Sequence, residues 1–487
     1  MNAPETCLPQ CAPRDVPAAV IALLQSRFGP RCSTSAAVRE QHGRDESSFD
    51  VPPPAAVVFV ESTAEVAEVV RIAAVHDVPV IPFGVGSSLE GHVLAVQGGI
   101  SIDMNSMNRV LAVHAEDLTA TVQPGVTRKQ LNEELRAHGL FFPIDPGAVA
   151  SIGGMAATRA SGTNAVRYGT MRENVLALEV VTATGEVIRT GSRARKSSAG
   201  YDLTRLFVGS EGTLGVMTEI TLRVYPLPEA ISAAICSFPS LEAAVRSTIE
   251  TIQLGVPIAR VELVDRHAVR AVNRYSGLSL REEPLLLMEF HGSPTGVEEQ
   301  ARTVQEIAHE AGGRDFEWAA TPEERTRLWT ARHNAYFAGV QSRPGCRVIT
   351  TDVCVPISRL ADCLLESVTE ADDSGIPYFL VGHVGDGNFH FGYLIDPADS
   401  AERERAEALN RSLVARALRL DGTCTGEHGV GLHKMDFLVA EAGEGAMAMM
   451  LALKRALDPR DIMNPGKVLR RTAGSPAGAA PVSETRP

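Results

Sequence analysis

The chain has 487 residues, too many for a single hydrophobic core, and this length indicates two or three domains. A formal net charge of −13, with no run of Lys and Arg, argues against a nucleic-acid partner and disfavours tight docking on an anionic membrane. The 8 cysteines include no C-x-x-C pair, so we expect reduced thiols in a cytoplasmic protein, with peripheral attachment to the inner membrane left open. No apolar stretch reaches the length of a transmembrane helix.

The two ends of the chain differ from its middle. Residues 1–50 are interpreted as a lead-in that contains one amphipathic helix near residues 16–28. Residues 472–487 are rich in Pro, Ala, Gly and Ser, a composition typical of disordered tails.

Residues 51–226 predict a first α+β domain. Ser62, with Glu65 three residues later, forms a capping box that opens a helix after the first buried strand. Thr127 and Gln130 repeat this signal for a second helix. The strands predicted in this domain are 57–60, 78–82, 177–182, 186–190 and 216–224.

Residues 227–434 predict a second domain, which begins after Pro226 and Pro228. Strands and long amphipathic helices are mixed here, which is typical of an antiparallel sheet covered by helices on one side. Residues 435–471 are expected to form a helix and a C-terminal segment that returns to the first domain. The strands predicted in the second domain are 285–290, 348–353, 379–384 and 389–395.

A glycine-rich belt runs from Pro82 to Gly169. Glycine permits positive φ and close approach to the main chain, and successive N–H groups in such turns form concave anion sites that suit a pyrophosphate. The G-x-G-x-x-G fingerprint is incomplete because Leu89 occupies its third glycine position. One such turn could equally be a tight strand-to-loop connection. The case for a nucleotide site rests on four more stretches, P-x-D-P-G, S-I-G-G-M-A-A-T-x-A-S-G, Y-G and G-S-E-G-T-L-G-V.

Two histidines flank a predicted hairpin turn at 386–387. Asp-Gly between two apolar runs favours a type I′ turn, which would place His383 directly opposite His390, with Cβ atoms roughly 5 Å apart. Two imidazoles so placed can chelate a divalent metal, or they can be ordinary cross-strand histidines. Glu427, in a glycine-rich loop, favours the metal, because a His2Glu set with open positions is a catalytic arrangement.

Together these motifs resemble the PCMH-type FAD-binding domain of the vanillyl-alcohol-oxidase superfamily. Within it they resemble the group of FAD-linked D-lactate dehydrogenases (cytochrome type), glycolate oxidase flavoprotein subunits and D-2-hydroxyglutarate dehydrogenases. The resemblance covers about residues 51–469, and the S-I-G-G-M and S-G-T-N-A-V-R-Y-G-T stretches look most similar to the cytochrome-linked D-lactate dehydrogenases. It implies two α+β subdomains around an extended FAD, with a cap domain over the flavin ring.

The resemblance also implies which residues bind FAD. Covalent attachment in this superfamily often uses a histidine in the first glycine turn, where this chain has serines, so we expect non-covalent FAD. The implied FAD-binding residues are Pro82, Gly84, Gly86, Ser87 and Ser88 at the first turn, Pro146, Gly147, Gly153, Gly154, Ser161 and Asn164 along the flavin, Gly212, Gly215 and Val216 towards the adenine, and Asn464.

A catalytic set is implied in the same way. Arg332 matches the substrate-binding arginine, whose planar guanidinium suits a carboxylate. The alternative is that it lies on a solvent-exposed helix face, as an isolated arginine in a helix usually does. His428 matches the catalytic base of these enzymes, and the alternative is that it is a loop histidine without a catalytic role. Asn388 either binds the substrate or completes the turn. The implied ligands of a zinc or manganese ion are His383, His390 and Glu427.

The implied reaction is FAD- and metal-dependent oxidation of a D-2-hydroxy acid, with D-lactate to pyruvate favoured. Residues 349–351 are uncharged where relatives that use the diacid D-2-hydroxyglutarate have a basic residue, which favours a monoacid. The electrons would pass to an external acceptor such as cytochrome c, a quinone or an electron-transfer flavoprotein, and a homodimer is compatible with the sequence. The alternatives are a glycolate oxidase flavoprotein subunit, a D-2-hydroxyglutarate dehydrogenase, and a flavin-binding protein without catalysis.

Overall fold

The computed structural model describes residues 13–47 and 49–470, so the tail predicted at 472–487 lies outside the described residues. The α+β prediction is confirmed, because helices pack on each of three large sheets within this part of the chain. None of the helices in the described ranges is both long and apolar enough to cross a membrane.

The first body is a four-stranded sheet with three helices. Its elements are α1 (Ala18–Phe28), a 3₁₀ turn (Gly29–Arg31), β1 (Cys32–Ser33), α2 (Ala36–His42), β2 (Ala56–Phe59), α3 (Thr63–Val75), β3 (Val80–Phe83) and β4 (Ile100–Asp103). The strand order is β1-β2-β4-β3, in which β2, β4 and β3 run parallel and β1 is an antiparallel edge.

Helix α3 begins where the sequence predicts. Ser62 Oγ accepts a hydrogen bond from the backbone N–H of Glu65 at 3.4 Å, which satisfies one of the free donors of the first turn. The Glu65 carboxylate accepts from the backbone N–H of Glu61 at 2.8 Å, so only half of the predicted capping box forms. Val66 and Val70 lie on the buried face of the helix.

The first part of the predicted lead-in belongs to this body. Val20, Leu24 and Phe28 recur every four residues, so they share one face of α1, and all three are buried in the first core. Strand β1 then pairs with β2, with Cys32 opposite Val58. Residues 18–33 therefore add a helix and an edge strand to the first body.

The second body is a five-stranded antiparallel sheet with the order β5-β6-β10-β8-β9 and a separate two-stranded pair, β7 with β11. Its strands are β5 (Val110–His114), β6 (Thr119–Val122), β7 (Leu140–Phe141), β8 (Val175–Val181), β9 (Val187–Arg189), β10 (Val216–Arg223) and β11 (Tyr225–Pro226). Its helices are α4 (Arg128–Arg136), α5 (Ile152–Thr158), α6 (Ala165–Tyr168), α7 (Met171–Asn174) and α8 (Leu203–Phe207).

The third body is a larger antiparallel sheet with the order β15-β12-β14-β13-β18-β19-β16, and β17 also pairs with β19. Its strands are β12 (Ala230–Ser237), β13 (Ile258–Val264), β14 (Leu285–Gly292), β15 (Arg314–Ala319), β16 (Arg347–Thr350), β17 (Val353–Cys354), β18 (Tyr378–His383) and β19 (Asn388–Ile395). Its helices are α9 (Leu241–Gln253), α10 (Arg266–Ser276), α11 (Pro294–Glu310), α12 (Pro322–Gln341), a 3₁₀ turn (Ile357–Arg359), α13 (Leu360–Ser374) and α14 (Ser400–Arg419).

Helices cover both faces of this sheet, so the prediction of helices on one side was wrong. Strand β14 shows the reason, because its run of apolar residues is buried on both faces. Leu286 and Met288 pack in a core shared with α9, α11, α13 and α14. Leu285 and Leu287 pack in another core, shared with α10 and α12.

The chain returns to the first body at its C-terminal end. Helix α15 (Met435–Leu457) is interrupted at Gly443, whose φ is 70°. After it, the backbone N–H of Val80 donates to the carbonyl of Ile462 at 2.8 Å, and that of Asn464 donates to the carbonyl of Val80 at 2.9 Å. Ile462 and Met463 are fully buried in the first core. The segment after α15 therefore lies beside β3, where the first glycine turn begins.

Candidate active site

The histidine hairpin forms with a register different from the predicted one. His383 pairs with Asn388 and His390 pairs with Val381, so a four-residue loop, 384–387, replaces the predicted two-residue turn. Tertiary contacts hold this loop: Val384 is fully buried, and the carbonyl of Gly387 accepts a hydrogen bond from the backbone N–H of Val355 at 3.0 Å.

The two histidines nevertheless lie on one face. The register differs from the prediction by two residues, and a shift of two preserves the face to which each side chain points. His383 and His390 become diagonal neighbours, with ring centroids 5.5 Å apart. Both are buried, at 7% exposure each.

Glu427 meets both rings. Its Oε1 lies 3.2 Å from Nε2 of His383 and 3.3 Å from Nε2 of His390, and the three ligand atoms lie within 4.8 Å of one another. Its other oxygen, Oε2, is buried without a hydrogen-bond partner among the described residues. A buried, unsatisfied carboxylate oxygen beside two imidazole nitrogens fits a divalent cation.

The hydrogen bond at Nδ1 of each histidine fixes the tautomer of its ring. His383 Nδ1 lies 2.7 Å from a carboxylate oxygen of Glu262, and His390 Nδ1 lies 3.0 Å from the carbonyl oxygen of Thr351. Both partners are acceptors, so each Nδ1 carries the proton and each Nε2 directs its lone pair towards Glu427. Burial lowers the pKa of His383, but Glu262 and Glu427 outweigh it and raise that pKa well above its usual value, so a cation that binds at Nε2 has to displace a proton from this ring.

Asp352 holds the loop that carries Glu427. Its Oδ2 accepts from the backbone N–H groups of Glu427 at 3.1 Å and His428 at 2.9 Å, and from the hydroxyl of Thr425 at 2.8 Å. Lys434 Nζ adds a contact at 3.2 Å. Asp352, His390 and His428 also cluster, but these donors occupy Oδ2 of Asp352, and its Oδ1 accepts from the amide of Asn388 at 2.8 Å. This favours His383, His390 and Glu427 as the metal ligands.

His428 lies against the predicted ligand His390. The two rings are stacked, with centroids 5.2 Å apart and planes 7° apart, and Nδ1 of His428 lies 3.3 Å from Oε1 of buried Glu90. Burial lowers the pKa of His428, but Asp352 and Glu90 outweigh it and raise that pKa above its usual value. The structure therefore brings the predicted base next to the predicted metal ligands.

Arg332 joins the same cluster through Glu262. The arginine lies on α12, and its Nε donates to Oε2 of Glu262 at 2.8 Å. Glu262 lies on β13 and is fully buried. Sequence reasoning missed both Glu262 and Glu90, and the only local signal for Glu262 is an acidic residue inside an apolar strand.

Asn388 has a structural task. Its amide group donates to Oδ1 of Asp352 and to the carbonyl of Val353, both at 2.8 Å. These contacts connect β19 to β17 and to the residue before it, and they use both donors of the amide. Substrate binding by Asn388 stays a prediction.

The glycine turns come together between the first two bodies. A Cβ on Gly84 would lie 2.6 Å from Ser151 Oγ, so the first turn packs closely against the start of α5. Ser210, in a later predicted turn, has a buried hydroxyl without a hydrogen-bond partner among the described residues. Gly212 lies against Pro82 and Asn464, which gathers three predicted FAD-binding residues at one place.

Two glycines in the predicted FAD set have packing reasons of their own. A Cβ on Gly153 would lie 2.5 Å from Cβ of Pro124, and one on Gly215 would lie 2.6 Å from a side-chain carbon of Val180. Gly147, by contrast, has no neighbour within 4 Å of such an atom. The individual FAD contacts stay predictions, but close turns and an unsatisfied buried hydroxyl fit a ligand that binds through the main chain.

Comparison with known proteins identifies the family. The FAD binding domain profile matches residues 54–191, and that of the FAD linked oxidases, C-terminal domain, matches residues 227–468. The probable D-lactate dehydrogenase, mitochondrial, of Danio rerio is 53% identical over 443 residues, 90% of this chain and 89% of that protein. The D-lactate dehydrogenase (cytochrome), mitochondrial, of Arabidopsis thaliana is 46% identical over 458 residues, 94% and 81% of the two chains.

Among solved structures, p-cresol methylhydroxylase with substrate bound has a similar fold. Its TM-score is 0.78 at 17% identity, with 94% of this chain and 98% of that chain covered, and this likeness concerns the fold alone. The matched profiles together include parts of all three bodies of the structure. The protein is thus an FAD-dependent oxidoreductase, and its chain belongs to the family of FAD-linked oxidases that includes the D-lactate dehydrogenases.

Proposed function

We propose that this protein oxidises a D-2-hydroxy acid, with D-lactate to pyruvate the favoured reaction, using non-covalent FAD and a zinc or manganese ion. The observation that carries the proposal is the convergence of His383, His390 and Glu427 beside His428. A protein that only binds flavin has no use for such a set. The similarity to the Danio rerio and Arabidopsis thaliana proteins, which are named probable D-lactate dehydrogenase and D-lactate dehydrogenase, supports the choice of substrate.

Each polar group of the cluster has a task in this reaction. His383, His390 and Glu427 would hold the divalent ion through Nε2, Nε2 and the carboxylate. His428 donates its Nδ1 proton to Glu90, so in the neutral ring Nε2 has the lone pair that takes the proton of the substrate hydroxyl. When bound, FAD would supply the hydride acceptor, and a divalent ion would lower the pKa of the substrate hydroxyl.

Arg332 binds the substrate carboxylate in this proposal. Its Nε is used by Glu262, which leaves the two terminal amino groups of the guanidinium to form a bidentate pair. With 18% of its side chain exposed, Arg332 stays accessible at the edge of the buried cluster.

We further propose preference for a monoacid. Ile349 and Thr350, at the end of β16, and Thr351 after them provide no cation for a second carboxylate. D-lactate should therefore give a higher kcat/KM than D-2-hydroxyglutarate, and an equal or higher value for the diacid would contradict this preference.

Stereospecific flavin reduction tests the proposed activity. The FAD-loaded protein is mixed anaerobically with D-lactate or L-lactate, and the visible absorbance of the flavin is followed. Rapid bleaching by the D-isomer alone is expected. A flavin that no D-2-hydroxy acid bleaches would refute the activity.

The electrons then pass to an external acceptor, for which we propose cytochrome c. The word cytochrome in the name of the Arabidopsis relative supports this choice over a quinone or an electron-transfer flavoprotein. Steady-state turnover with D-lactate should reduce cytochrome c faster than a soluble quinone, and the reverse order would favour a membrane quinone.

A further inference from the structure

Glu262 is the most deeply buried charged group near the candidate site. It lies on the central strand β13, next to β18, which carries His383, and none of its surface is exposed. A buried carboxylate is costly unless charged or hydrogen-bonding partners compensate it. Glu262 has two such partners, and both are residues of the proposed reaction.

Each oxygen of Glu262 has its own partner. Oε1 accepts from Nδ1 of His383 at 2.7 Å, and Oε2 accepts from Nε of Arg332 at 2.8 Å. Arg332 is a permanent cation, so its guanidinium compensates the charge of the buried Glu262 carboxylate. One carboxylate thus connects a predicted metal ligand with the predicted carboxylate clamp.

The two metal-ligating histidines differ in this respect. His390 donates its Nδ1 proton to the backbone carbonyl of Thr351 at 3.0 Å, and Oδ1 of Asp352 lies beyond hydrogen-bond distance at 3.7 Å, whereas His383 donates directly to the carboxylate of Glu262 at 2.7 Å. A carboxylate partner fixes the ring and makes the opposite nitrogen a stronger ligand. His383 is therefore the ligand whose orientation and basicity depend on another side chain.

We propose that Glu262 is a positioning residue that sets His383 for metal binding and Arg332 for substrate binding at the same time. The inference rests on the proposed function and adds a residue to it. Loss of the Glu262 charge should weaken the metal site and the carboxylate clamp together, even though this side chain touches neither the metal nor the substrate.

Glu262→Gln tests this coupling. A glutamine has one acceptor oxygen in place of two, so it can serve His383 or Arg332 but not both. Metal affinity is measured on the FAD-loaded protein, which competes with a chromogenic chelator for zinc or manganese. We expect the dissociation constant of the metal to be about 10- to 100-fold higher in Glu262→Gln than in the wild type. At saturating metal, KM for D-lactate should rise more than kcat falls.

Glu289→Gln is the matched control. Glu289 is also a buried carboxylate of the third body that serves a histidine and an arginine, with Oε1 2.8 Å from Nε2 of His291 and 3.5 Å from Nε of Arg260. Neither partner is a proposed metal ligand, so this variant should keep the metal affinity of the wild type. If Glu262→Gln does not retain FAD, Glu262→Asp is measured instead, because the shorter side chain cannot bridge both partners and should show the same loss.

The outcomes separate this inference from the proposed function. A wild-type protein that holds no metal refutes the metal centre and the role of Glu262 with it. Wild-type metal binding that Glu262→Gln leaves unchanged, or that Glu289→Gln weakens equally, overturns the role of Glu262 and leaves the proposed reaction intact.

Discussion

Oε1 of Glu90 accepts a hydrogen bond from Nδ1 of His428 at 3.3 Å, which connects the end of the first glycine turn to the loop that carries Glu427. Glu90 has 1% of its surface exposed and also contacts Lys434 and His433. The contact fixes the tautomer of His428, with its lone pair on Nε2. The proposed base therefore depends on a carboxylate from the FAD-binding part of the chain.

His428→Asn should remove the base and keep the fold. We expect kcat for D-lactate to fall by about 10²- to 10⁴-fold, the usual contribution of a general base, with FAD and metal content unchanged. The matched control is His433→Asn, because Nδ1 of His433 contacts the other oxygen of Glu90 at 2.8 Å. A loss of equal size in both variants would indicate that the Glu90 cluster is structural and that His428 is not the base.

Arg332→Lys should weaken substrate binding. Lysine keeps the charge but lacks the planar fork and the Nε donor that reaches Glu262. Charge-assisted hydrogen bonds contribute about 1.5–3 kcal/mol, so kcat/KM for D-lactate should fall by roughly 10- to 100-fold, mainly through KM. Arg327→Lys, at an exposed position on the same helix that pairs with Glu317, is the control and should behave as the wild type. Unchanged kcat/KM in Arg332→Lys would refute the clamp.

Lys467→Met should change how stability depends on pH. Burial lowers the pKa of Lys467 to about 7, an effect that Asp45 and Glu211 only partly offset. An unfolded lysine titrates near pH 10.4, so between about pH 7 and 10 the unfolded chain binds more protons than the folded one. Burial of the charged lysine therefore lowers the free energy of unfolding most below pH 7, and this destabilisation disappears as the pH rises towards 10.

Thermal unfolding of the two proteins at matched FAD content measures this effect. The unfolding midpoint of Lys467→Met minus that of the wild type should be largest near pH 6 and should fall steadily towards pH 9. The variant also loses the hydrogen bonds from Nζ to the carbonyl of Leu94 and to Asn464, and this loss persists at high pH because the neutral amine still carries N–H donors. A difference that stays constant across this range would contradict the lowered pKa.

Local sequence signals predicted most of the elements. The capping signal at Ser62, the strand that ends at the first glycine turn and the helix after Lys434 all form, because each depends on residues close in sequence. The same holds for the face shared by His383 and His390, which the alternation of strand side chains fixes.

Features that depend on distant residues were not predictable. The turn after His383 follows its contact with Val355 rather than the Asp-Gly preference, and a single sequence does not contain that contact. Glu90 and Glu262 gain their roles from partners that are far away in sequence, at positions where local patterns indicate only a loop and a strand. Family resemblance supplied Arg332 and His428, which their local sequence leaves ambiguous.

Metal removal tests the central claim most directly. The FAD-loaded protein is dialysed against EDTA, loss of the ion is checked by elemental analysis, and anaerobic bleaching of the flavin by D-lactate is compared before dialysis, after it, and after zinc or manganese is returned. The arrangement of His383, His390 and Glu427 predicts that bleaching stops without the ion and recovers with it. Bleaching at full rate in protein shown to be free of metal would contradict the account and leave the three residues a structural cluster.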